Sequence, residues 1–226
     1  MKLNNHENLD NVIHTRTRMK FGADMEYFRQ NYPYKVGYGT SSPNNWIDFF
    51  ETWTEHQDNL DGNVAGSSRI SLTLDRAATP GSPFTWRIEA EWMQPSSVEF
   101  NNWFNYVNTG VTVPIDTWFW LDYYMLKGDN TTGKIIIKIT PDGGVTETLF
   151  NITDYTYYPP HSYYTGTVIN SITAHPEYNR TSWQPVKCYS SDAMLDWYTA
   201  NNKQYMMYLS NIQYFNPNSP NYTPPT

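Results

Sequence analysis

Pro83-Phe-Thr-Trp-Arg-Ile-Glu-Ala-Glu-Trp92 alternates without a break. Phe84, Trp86, Ile88, Ala90 and Trp92 point one way, while Thr85, Arg87, Glu89 and Glu91 point the other. Period two with one wholly apolar side is the pattern of a strand that lays one face on a core. The strand before it, Arg69-Ile-Ser-Leu-Thr-Leu74, alternates too, and Arg76-Ala-Ala-Thr-Pro-Gly-Ser-Pro83 between them supplies turn residues. Two strands joined by so short a turn are antiparallel neighbours.

Working outward, the same signals recur. Trp46-Ile-Asp-Phe-Phe-Glu-Thr-Trp-Thr54 is an aromatic and β-branched run opened by Pro43-Asn-Asn45. Thr117-Trp-Phe-Trp-Leu-Asp-Tyr-Tyr-Met-Leu126 enters the turn Lys127-Gly-Asp-Asn-Thr-Thr-Gly133 and returns as Gly133-Lys-Ile-Ile-Ile-Lys-Ile-Thr140, with Ile135, Ile137 and Ile139 inward. Pro141-Asp-Gly-Gly144 is a tight turn into Val145–Phe150, and Gln204–Phe215 reads as a long closing strand. Ser190-Ser-Asp-Ala-Met-Leu-Asp-Trp-Tyr198 has a Ser or Asp cap ahead of Met194, Leu195 and Trp197 and predicts one short helix near 190–198. Roughly eight to ten strands with one helix give an all-β, antiparallel two-sheet β-sandwich of jelly-roll type.

The domain reading is a loose polar segment over 1–11, a single jelly-roll domain over 12–215, and a Pro/Asn-rich tail over 216–226. Asp154–Gln184 has no clear period and reads as a long aromatic loop containing His161 and Tyr163.

Composition narrows the function. Aromatic residues reach 17% and charged residues only 16%, so surface polarity must come from Asn, Ser, Thr and Tyr. Flat rings beside short amides and hydroxyls suit sugar rings, although any β-rich chain favours Tyr, Trp and Thr. A net charge of −7 argues against nucleic acid as a partner. The single cysteine, Cys188, excludes an internal disulfide and any multi-cysteine metal site. No apolar run is long enough to insert in a membrane, and Met1-Lys-Leu-Asn-Asn-His-Glu-Asn8 has no signal-peptide core. The glycan-type surface favours an extracellular, cell-surface or virion-surface location.

Within this acidic chain, Val12-Ile-His-Thr-Arg-Thr-Arg-Met-Lys-Phe21 is an exception. Read as a strand, it places His14, Arg16, Arg18 and Lys20 on one face and Ile13, Thr15, Thr17, Met19 and Phe21 on the other. Two readings stand: the basic face grips an anionic ligand, or it neutralises carboxylates on neighbouring strands. Glu89, Glu91, Glu51 and Asp122 are the candidates for the second.

Val111-Thr-Val-Pro-Ile-Asp-Thr-Trp-Phe-Trp-Leu-Asp-Tyr-Tyr124, then Lys127-Gly-Asp, Gly133-Lys-Ile-Ile-Ile-Lys-Ile and Asp142-Gly, form a sequence of segments. Together they resemble the concanavalin A-like lectin/glucanase jelly rolls. The Arg-rich strand, Trp46–Trp53 and Val186-Lys-Cys-Tyr-Ser-Ser191 are similar to heparin lyase I-like and glucuronan lyase-like polysaccharide lyases. Arg16-Thr-Arg-Met-Lys20 follows the lyase strand "R-[ST]-E-L-R", with Arg18 at its Glu position; Phe50-Glu-Thr-Trp53 stands where "Q-[IV]-H" is expected. The resemblance implies a polysaccharide lyase-like domain.

β-Elimination on a uronate needs a cation or amide at the C6 carboxylate, a base for the C5 proton and an acid for the leaving oxygen. Candidates for the last two roles are His14, Tyr124 and Lys127. Arg16, Arg18, Glu51, Trp118, Trp120, His161 and Tyr163 are the candidate substrate-binding residues, with Trp118, Trp120 and Tyr124 outward if the aliphatic-richer face is core. The alternative is a non-catalytic carbohydrate-binding or adhesion module within a larger secreted or viral surface protein. Hydrolysis would need two groove carboxylates; Glu89 and Glu91 qualify by spacing, but Arg87 on the same face makes ion pairing the simpler reading. No cofactor is expected. A structural Ca²⁺ has Asp129, Asn130, Asp142 and Asp154 as available ligands, which do not converge in sequence.

Overall fold

The computed structural model describes residues 3–4, 12–37, 43, 45–56, 67–93, 100–156, 179–184, 187 and 189–226. Their strands are β1 (Leu3–Asn4), β2 (Val12–Phe21), β3 (Ile47–His56), β4 (Ser67–Arg76), β5 (Phe84–Met93), β6 (Phe100–Asn108), β7 (Phe119–Leu126), β8 (Lys134–Pro141), β9 (Glu147–Thr153), β10 (Asn179–Gln184), β11 (Tyr189–Ser190) and β12 (Met207–Tyr214). The helices are α1 (Asp24–Asn31) and α2 (Asp192–Ala200).

Every pairing between these strands is antiparallel. The larger sheet has seven strands in the order β1-β10-β3-β4-β5-β6, with β11 also on β3, and the smaller has five in the order β12-β2-β7-β8-β9. The two form the expected β-sandwich, and β5 behaves as its pattern demands. Trp86, Ile88 and Ala90 are fully buried, and Trp86 packs on Phe21 and Phe119 of the opposite sheet. A bulge between Asp48 and Phe50 lets two consecutive rings reach the core. Phe49 packs on Phe21 and Trp86, and Phe50 on Tyr123. On β7 the aliphatic-richer set Phe119, Leu121, Tyr123 and Met125 is core, as expected.

Differences from expectation have local causes. The helix near 190–198 lies at Asp192–Ala200, and α1 is a second helix. Met25 and Phe28 share a buried face of α1, and Phe28 stacks between Tyr32 and Tyr198 of α2, at 4.3 and 5.0 Å. Strand β6 is additional too: its four asparagines mask the strand signal, yet Phe104 alternates into the core. The end of the Asp154–Gln184 stretch is not loop but strand β10, paired with β3.

Candidate functional site

Strand β2 occupies an interior position of the five-stranded sheet, between β12 and β7. Its apolar face enters the core, with Met19 and Phe21 fully buried, which turns His14, Arg16, Arg18 and Lys20 to the sheet's outer surface. Register then decides their neighbours: His14 lies opposite Tyr124, Arg16 opposite Asp122, and Arg18 opposite Trp120.

The basic face is matched within its own sheet. Arg16 Nε is 3.4 Å from Asp122, Arg18 donates to Asp142 in the turn after β8, and Lys20 Nζ is 2.8 Å from Asp116. The guanidinium of Arg16 also lies 4.7 Å over the Trp120 ring and that of Arg18 4.9 Å over Trp118. Glu89 and Glu91, expected as possible partners of this strand, are on the other sheet and take no part. These surface pairs remain half-exposed, so each is worth about 0.2–1 kcal/mol and can be exchanged for another anion. Burial raises the Asp122 carboxyl against the opposing pull of Arg16 and Lys138.

The His14 end of the face differs. His14 is 9% exposed and Tyr124 is 7% exposed, and their rings meet edge to face at 5.8 Å. Phe215 stacks on the imidazole at 4.3 Å, and Tyr222 brings its Oη within 3.1 Å of Nδ1. Loss of water pulls the His14 imidazole down to about 4, so it is neutral at neutral pH, while burial pushes Tyr222 up to about 12 and raises Tyr124. A neutral imidazole beside two protonated phenols is a proton acceptor among proton donors. Phe215 and Tyr222 carry no motif in the sequence; only the fold brings them here.

The remaining expected residues do not join this cluster. Lys127 follows the last residue of β7, Leu126, which pairs with Val12 beyond His14; burial pulls its amine down to about 8. His161 and Tyr163 lie outside the described residues, as does Cys188. Glu51 is on β3 of the seven-stranded sheet, fully buried, with Arg69 at 3.1 Å and Lys187 at 2.7 Å. There Arg69 also binds Glu91, while Glu89 takes Arg87 at 2.7 Å and Asn102 at 3.1 Å. Burial, aided by the neighbouring Glu91, pushes Glu89 up to about 7 despite Arg87. The ion pairing of Arg87 expected from the sequence is therefore what occupies Glu89.

No group of three or more His, Cys, Asp or Glu converges among the described residues. Asp129 instead caps its own loop, accepting from the amides and hydroxyls of Thr131 and Thr132; these bonds pull its carboxyl down to about 2. Asp142 is engaged with Arg18, and Asp154 accepts from the Tyr155 amide. A cavity of about 540 Å³ opens between the edges of β6 and β9, lined by Tyr106, Asn108, Leu149 and Asn151, and holds none of the expected site residues. No helix among the described residues is long and apolar enough to cross a membrane.

Comparison with known proteins adds three solved structures. No family model matches the chain, and no curated protein matches it. A variant of the alginate lyase Aly36B bound to alginate tetrasaccharide aligns at 9% identity and TM-score 0.39, over 80% of this chain and 62% of that one. A second variant, with alginate trisaccharide, aligns at 6% and 0.40, and Aly36B itself at 8% and 0.39, each over 89% of this chain and 68% of that one. The chain thus spans less than two thirds of the length of the first of these.

Proposed function

We propose that this sandwich engages polysaccharide on the outer face of the five-stranded sheet and cleaves a uronic-acid-containing glycan by β-elimination. The observation that supports it is the cross-strand pair of His14 and Tyr124, whose rings meet on the outer face two residues along the strand from Arg16. Successive outward residues on a strand lie about 7 Å apart, the scale of one sugar ring and its carboxylate. Arg16 and Arg18 exchange Asp122 and Asp142 for the glycan's carboxylates. His14 takes the C5 proton, the C–H electrons form the C4–C5 double bond, the C4–O bond breaks, and Tyr124 protonates the leaving oxygen. Trp118 and Trp120 flank the track as ring surfaces.

The test is ultraviolet absorbance of the unsaturated uronate during incubation with polyuronates and glycosaminoglycans. The expected result is a rise that His14→Gln lowers by at least about 100-fold, the usual contribution of a general base, and that Arg16→Ala also lowers. No rise on any substrate sinks the lyase.

A second reading, a non-catalytic carbohydrate-binding module, draws on a different observation: the cations already have anionic partners and His14 is covered. Retarded migration of the protein in glycan-containing gels, without new reducing ends or absorbance, would be its signature.

A further inference from the structure

The outer face of the five-stranded sheet is open along most of β2 and closed at one end. The Arg16 and Arg18 side chains are 36% and 30% exposed, whereas His14 and Tyr124 on the same face are below 10%. The segment that makes the difference follows β12. Phe215 donates its backbone N–H to the His14 carbonyl at 3.0 Å and stacks its ring on the imidazole. Short turns, Ser219 N–H to Asn216 and Tyr222 N–H to Ser219, carry the chain back so that Tyr222 meets Nδ1. Lys138 on β8 then holds the backbone oxygen of Thr226 at 2.8 Å, so the segment crosses β2, β7 and β8.

We propose that residues 215–226 form a strap that closes the His14–Tyr124 pair and must lift before a sugar ring can reach it. The proposal rests on the reading of that pair as the glycan site. Its composition suits a strap: prolines at 217, 220, 224 and 225 limit the freedom lost on docking. Its hold is light. Every residue from 215 to 226 is half-buried or exposed, and the strap's contacts with the sheet include the two rings on His14 and the hydrogen bonds to His14 and Lys138. A segment with no fully buried residue opens more readily than the sheet beneath it. Among the described residues, the groups facing His14 are Tyr124 from β7 and Phe215 and Tyr222 from the strap, with Arg16 next along its own strand face.

The experiment is carbethoxylation of the 226-residue chain by diethyl pyrocarbonate, with His14 followed by peptide mass spectrometry. Phe215→Ala with Tyr222→Ala is compared with the parent chain and with Asn221→Ala, an exposed strap residue. The double variant is expected to label His14 at least about tenfold faster, as an occluded site becomes an open one, with its urea midpoint retained and Asn221→Ala unchanged. Equal rates overturn the strap, as does faster labelling that only tracks a fall in the urea midpoint. Cleavage and binding of polygalacturonate and alginate are measured on the same variants. Faster labelling with neither activity changed keeps the strap and removes the glycan site from His14 and Tyr124.

Discussion

Arg69 is the side chain on which the polar face of the seven-stranded sheet depends. It is 7% exposed and lies among three buried carboxylates, Glu91 on β5 and Glu51 and Asp48 on β3. Removing a buried charge leaves its partners unpaired in a medium that cannot solvate them, a loss of about 3–5 kcal/mol. Arg69→Met, which keeps the length and drops the charge, is therefore expected to destabilise by that amount in urea unfolding, with Glu51 partly rescued by Lys187. Arg16→Met on the open face should cost less than about 1 kcal/mol, because its pair with Asp122 is half in water. Equal losses at the two sites would refute this division between buried and surface pairs.

The hairpin of β7 and β8 shows why two glycines near each other in sequence are not equivalent. A Cβ on Gly133 would stand 2.1 Å from the Asp154 carbonyl oxygen and 2.7 Å from that of Gly128. The loop after β7 and the exit of β9 close on this residue, so Gly133→Ala must push backbone apart, at about 1–3 kcal/mol or more. Gly143, in the turn after β8, has open space around it but a φ of +74°. Gly143→Ala pays only left-handed strain, about 1–2 kcal/mol. Thermal unfolding of the two variants orders them; Gly143→Ala melting lower than Gly133→Ala would contradict the closure. The helix α1 illustrates the same dependence on context. Its Phe28 is buried by Tyr32, Tyr198 and Trp197, and Phe28→Ala is expected to cost about 3–5 kcal/mol.

For the whole molecule, two buried groups titrate in opposite senses. Glu89 is held near 7, above its ordinary value of 4.5, by burial and by Glu91, with Arg87, Arg69 and Asn102 opposing. Between those values the folded chain holds a proton that the unfolded chain has released. The stability Glu89 contributes is complete below about pH 4.5 and is lost as pH rises through 7. His14, held near 4 and below its ordinary 6.5, does the reverse: its contribution is complete above 6.5 and is lost as pH falls through 4. Glu89→Gln should therefore be less destabilising at about pH 8 than at about pH 5, the difference reaching up to about 3 kcal/mol. His14→Gln should show the opposite slope. Urea unfolding across that range checks both, and parallel, pH-independent offsets would remove the linkage.

Much of the sandwich was legible because a strand's period is a local property. The alternation of β5, the isoleucines of β8 and the split of β2 into basic and apolar faces each follow from side-chain order, and burial against one core selects the apolar face. Strand β6 and helix α1 were not legible, since four asparagines break the alternation of β6 and the few apolar residues of α1 sit among polar ones. The sequence by itself determined which residues share each face of β2 and β7, and that an acidic chain carries one concentrated basic face; burial in the structure chose the core face of β7. Only the tertiary structure decided what the basic face meets. Sheet assignment sent Glu89 and Glu91 to the opposite sheet and gave Arg16, Arg18 and Lys20 to Asp122, Asp142 and Asp116, while the return of residues 215–222 put Phe215 and Tyr222 on His14. Partners more than 60 residues apart are chosen by strand order and register, which no local pattern encodes.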